Sequence, residues 1–166
     1  MRRAGSSTPS DMPTLRRPES GEDTSGLSHE CRPVLLATLE VPFEDAAAAF
    51  AVDAAVEAGQ PLIVASIVEI PLGMCMLMGY GALDPPEEDA ARLRAPAELA
   101  HALGVRVERL RVSTPHPVTA LLELVAERGP GLLVFGPDRE RLKPRTYRRA
   151  ARKITERAAC LVWVSG

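Results

Sequence analysis

At 166 residues the chain is the size of one domain, with room for a single substantial core. Apolar residues make up 46% and charged residues 25%, an ordinary globular profile that excludes fibrous and wholly disordered classes. The net charge of −2 argues against nucleic acid as an obligatory partner, yet charge is sorted along the chain: residues 138–157 hold nine Lys/Arg and three Asp/Glu, leaving eleven bases against nineteen acids elsewhere.

Residues 1–32 read as a disordered tail, rich in Ser, Pro, Gly and Thr, with no apolar periodicity and no apolar core of a signal peptide. The folded domain is expected over residues 33–166. Removing the tail is expected to move the thermal midpoint by less than about 5 °C, which unfolding followed by circular dichroism measures. Residues 33–39 form a short apolar run suited to a strand covered on both faces. Asp45 then starts an alanine-rich helix, and Gly59 suits its C-terminal cap.

A second strand is expected over residues 62–70. The apolar stretch 61–83 is long enough to span a bilayer, but Glu69, Pro71, Gly73, Gly79 and Gly81 interrupt it, so a buried strand and a loop are expected instead, with no membrane partner. Met74, Cys75, Met76 and Met78 place soft sulfurs in that loop; a covering over the sheet accounts for them, and an adaptable ligand surface or a copper(I) site are the sharper alternatives. A helix follows over residues 87–103, kinked or restarted at Pro96.

Residues 105–112 alternate apolar and charged, as an edge strand does. Pro117 opens a helix whose stripe Val118, Leu121, Leu122 and Val125 marks a buried face. A fourth strand spans residues 131–136, a basic helix residues 145–158, and a last strand residues 160–164. This β-α-β-α-β-α-β-α-β order demands parallel strands and right-handed crossovers, hence a doubly wound five-stranded α/β sheet with helices on both faces.

The chemistry on offer is narrow. Cys31, Cys75 and Cys160 form no paired motif, so neither a disulfide framework nor a zinc site is indicated, and a reducing cytoplasm is the expected location. His116 lacks a nucleophile and an orienting acid, while Ser113 and Thr114 suit capping of the following helix start. No catalytic constellation is present and no enzyme activity is expected. The informative point is Gly136, where an apolar strand ends and a basic helix follows, the place where α/β proteins cradle phosphate. A solvated basic face is the plain alternative.

The strand running into an Ala-rich helix, Val68-Glu69-Ile70-Pro71, Leu103-Gly104-Val105-Arg106-Val107, Pro115-His116-Pro117 and the strand closing at Gly136 together resemble the universal stress protein family over residues 33–166. The resemblance implies an adenine-nucleotide alpha-hydrolase-like fold with strand order 3-2-1-4-5. ATP-binding members of that family carry G-x-x-G-x9-G-[ST] after the fourth strand, where glycines admit phosphate to the backbone and a hydroxyl completes the cradle. Here Gly136 fits the first position, Arg139 replaces the second glycine, and the last pair falls near Arg148-Arg149-Ala150 with one residue deleted. The nucleoside-facing acid at the end of the first strand aligns with Leu39; Glu40 comes one residue later, which turns its side chain to the other face.

The expected function is therefore a small binding or regulatory module that does not hold ATP tightly and carries no resident cofactor. The alternative is a nucleotide- or anion-binding protein in which cations of the run Arg139, Arg141, Lys143, Arg145, Arg148 and Arg149, with Arg139, Arg141 and Arg149 singled out beside Gly136, replace the glycine-rich cradle. Expected partners are a second copy, pairing through the C-terminal strand that carries Trp163, and a small anionic ligand.

Overall fold

In the computed structural model, which describes residues 31–73 and 87–165, five parallel strands lie in the order β3-β2-β1-β4-β5. In chain order the elements are β1 (Val34–Leu39), α1 (Asp45–Ala58), β2 (Leu62–Glu69), α2 (Glu87–Ala102), β3 (Val107–Thr114), α3 (Pro117–Arg128), β4 (Leu132–Phe135), α4 (Pro144–Arg157) and β5 (Leu161–Val164). Doubly wound architecture and strand order are those expected.

All six residues of β1 are buried, which explains why its sequence shows no alternation. Leu35, Ala37 and Leu39 face α3 and α4, whereas Val34 and Leu36 face α1 and α2. On α1 the buried residues Ala47, Ala51 and Ala55 recur every fourth position beside Val52, a small-residue stripe that lets the helix lie close to the sheet. Gly59 ends that helix with φ +61°, the left-handed conformation that glycine adopts without a Cβ penalty. The buried side of α4 is Tyr147, Ala150 and Ile154, so its many cations have only the outer faces left.

Three expectations on boundaries and faces need correction. β3 begins at Val107 rather than residue 105, because Gly104 (φ +80°) and Val105 still finish α2: the Val105 N–H bonds the Ala100 carbonyl at 3.0 Å. Pairing runs on to Thr114 opposite Glu69. Of the two expectations at Pro96 only the restart is overturned: α2 passes through it as one helix, with Pro96 buried. On α3 the buried stripe is Leu121, Leu124 and Val125; Leu122 is only partly covered.

The tail lies almost wholly outside the described residues, as does the Met74–Met78 cluster. Cys31 and Arg32 are described, and the Arg32 N–H donates to Gln60 Oε1 at 3.0 Å. The truncation that leaves the fold's own contacts intact therefore stops before Cys31. No helix among the described residues is long and apolar enough to cross a membrane.

Candidate binding site

In this topology the crevice opens at the carboxyl ends of β1 and β4, where successive connections depart to opposite faces of the sheet. β4 ends at Phe135, and Gly136 is buried immediately beyond it. A Cβ on Gly136 would stand 2.1 Å from the Ala47 Cβ of α1, far inside van der Waals contact. Glycine is needed here so that α1 can pack against the strand end, and its φ is not left-handed.

The loop after Gly136 offers few free donors. The Gly136 N–H bonds the Ala37 carbonyl at 3.1 Å, and the Asp138 N–H bonds the Pro42 carbonyl at 2.8 Å. The Glu140 N–H reaches Asp138 Oδ1 at 3.0 Å, while those of Arg141 and Leu142 both point to the Asp138 carbonyl. Glu44 N–H to the Gly136 carbonyl, at 3.0 Å, and a bridge between Phe43 and Pro137 tie the β1–α1 loop across this turn. Four of the backbone amides that a phosphate loop would aim at its ligand are thus engaged within the protein.

The four residues marked by sequence do not converge. Arg139 lies over the Tyr147 ring, 5.3 Å from its centroid, a cation–π arrangement. It lines a cavity of about 430 Å3 with Glu44, Tyr147 and Arg148. Arg141 pairs with Asp138 three residues earlier, Nε to Oδ2 3.3 Å. Tyr147, unremarked in the sequence, organises this corner: it stacks on Phe135 with ring centroids 5.9 Å apart, and its hydroxyl donates to the Ser165 carbonyl. Only Arg149 reaches the cleft proper.

That cleft, also about 430 Å3, lies between α3 and α4 above the end of β1. Its walls include Leu39, Glu69, His116, Thr119, Arg145, Arg149 and Lys153. Arg145, Arg149 and Lys153 repeat every four residues, so one face of α4 presents three cations; the Lys153 ammonium also approaches Thr119 Oγ1 at 3.4 Å. Glu69 brings a carboxylate to the same cleft from the end of β2. Sequence reasoning had Arg145 in the basic run and passed over Lys153, although its four-residue spacing from Arg149 was the available signal. Glu69 could be found only through the register that sets it beside Thr114.

Leu39 is buried at the cleft floor, where an acid would be needed to meet a nucleoside. Glu40 does not substitute. It has φ +53°, and its Oε1 accepts the Glu69 N–H at 2.7 Å while Arg92 holds its carbonyl at 2.8 Å. His116 precedes α3 and makes no side-chain cap; its own N–H bonds Thr114 Oγ1 at 3.2 Å. Among the described residues no group of three or more His, Cys, Asp or Glu is placed to hold a metal ion.

Solved structures share this fold at low identity. A universal stress protein in complex with cAMP is 20% identical, with a TM-score of 0.56 over 81% of this chain and 96% of that one. One from Archaeoglobus fulgidus in complex with dAMP is 18% identical, with a TM-score of 0.53 over 80% and 96%. A further Archaeoglobus fulgidus universal stress protein gives 17% and 0.54 over 80% and 92%. No curated protein matches the chain. The family model of the universal stress proteins matches residues 30–165, and the chain belongs to that family.

Proposed function

We propose that this universal stress protein is a non-catalytic, cytoplasmic binding and regulatory module whose cleft takes a small phosphorylated ligand and does not hold ATP tightly. The observation that carries the reading is the separation of the two elements a nucleotide triphosphate needs. The loop amides of Asp138, Glu140, Arg141 and Leu142 are engaged internally, and Arg145, Arg149 and Lys153 face the cleft from α4 instead. Three cations suit one phosphate, which guanidinium groups bind by charge-assisted hydrogen bonds. A triphosphate with its magnesium ion gains most from the backbone cradle that is missing here.

Glu69 favours a ligand that also bears hydroxyl groups, since a carboxylate accepts from them and repels a second anion. Nucleoside monophosphates and sugar phosphates have this make-up, and the cAMP and dAMP named with two relatives make those compounds the first to try. Titration with dAMP is expected to give binding that weakens with salt and falls at least tenfold in Arg149→Gln, a loss of about 1.4 kcal/mol for one charged hydrogen bond. Binding unaffected by this substitution, or none at millimolar ligand, would remove the reading.

A further inference from the structure

At the opposite end of the sheet two thiols share one cavity. Its volume is about 440 Å3, and its walls include Cys31, Arg32, Arg128, Gly129 and Cys160. Leu132 of β4 pairs with Leu161 of β5, so Cys160 stands beside Gly131 on the neighbouring strand. The Gly131 N–H donates to the Pro33 carbonyl at 3.1 Å, and a Cβ on Gly131 would lie 3.3 Å from the Arg32 Cβ. The chain that enters β1 therefore runs against Gly131, which stands between it and the strand that carries Cys160.

We propose that Cys31 and Cys160 form an intramolecular disulfide when the protein meets a peroxide, closing this cavity and tying the residues before β1 to the last strand. Cys31 is exposed and precedes every element of the described residues, so it can move without disturbing the sheet. The far wall is fixed: Arg128 is held by Glu108 through two bonds, at 2.8 and 3.2 Å. The two sulfurs therefore have distinct parts. Burial pushes the half-buried Cys160 thiol above its ordinary pKa, which makes it the slower to be oxidised. The Cys31 sulfur attacks the peroxide O–O bond, giving a sulfenic acid and one water. Cys160 then attacks that sulfur, forming the S–S bond and expelling a second water, so two thiols and one hydrogen peroxide yield one disulfide and two waters.

The cross-link would close nearly the whole chain into one loop, and long loops lose most entropy in the unfolded state. The test uses full-length protein carrying Cys75→Ser, treated with hydrogen peroxide. Expected are a mass loss of two hydrogens, a proteolytic fragment joining Cys31 to Cys160, and a thermal midpoint raised by roughly 5–10 °C that dithiothreitol reverses. Cys31→Ser in the same background should show no such shift and keep Cys160 as a free thiol. Oxygen adducts on Cys31 without a cross-link, disulfide-linked dimers, or a cross-link formed only in urea-unfolded chain would each overturn the proposal.

Discussion

Gly136→Ala is expected to destabilise the protein by about 2–3 kcal/mol, the cost of forcing an added methyl group into a packed contact. The thermal midpoint should fall by roughly 5–10 °C. The cause is the Ala47 Cβ, which the new methyl would meet at 2.1 Å, with backbone on both sides that cannot yield as a flexible side chain would. Pairing the change with Ala47→Gly removes the overlap. That double variant should recover most of the loss, short of about 1 kcal/mol for a glycine inside α1. Urea denaturation of the unsubstituted protein and the two variants decides the matter. A stable Gly136→Ala protein that no longer binds dAMP would instead make Gly136 a ligand-approach glycine.

The second large effect concerns assembly. β5 is an edge strand, and its direction is fixed by the Ser165 N–H, which points to the Phe135 carbonyl of β4 at 3.4 Å. Because N–H groups alternate along a strand, those of Val162 and Val164 point away from β4, where no strand among the described residues accepts them. Leu161 is 74% exposed at the start of this edge. Trp163 takes less part than its sequence position suggests, since it stacks on Phe50 of α1 with centroids 5.0 Å apart. A two-fold copy pairing antiparallel through β5 would satisfy the open edge, and such a dimer is the expected assembly. Val162→Pro removes one outward donor per copy and spares the β4 ladder. The dimer should weaken by at least about 2 kcal/mol, some thirtyfold, with stability of the monomer little changed. Light scattering at tens of micromolar reads the outcome: a monomeric wild type contradicts the pairing, and a dimer indifferent to the substitution puts the interface elsewhere.

What could be read from the chain depended on which interactions are local. Apolar runs without alternation identified β1 and β2 as strands covered on both faces, and Gly59 and Pro117 marked helix ends through backbone preferences of single residues. Leu39 and Arg139 stood out as departures from a glycine-rich phosphate site because each occupies a defined place after a strand. The candidate site was less legible, since it is assembled across elements. Gly136 reads the same whether it admits a phosphate or a helix, and only Ala47, far away in sequence, separates the two. Arg139 and Arg141 look like ligand groups in a basic run, yet Tyr147 and Asp138 engage them. The onset of β3 was misplaced for a similar reason: Val105 is a good strand residue, but the hydrogen bond to Ala100 gives it to the end of α2.

Affinity for magnesium-ATP tests the central claim most directly. Calorimetric titration of the full chain is expected to give no dissociation constant in the micromolar range, while dAMP under the same conditions binds in a manner sensitive to Arg149. A micromolar or tighter constant for magnesium-ATP would contradict the account, because the amides of Gly136 and of the loop after it would then have to leave their partners at Ala37, Pro42 and Asp138 to meet the phosphates.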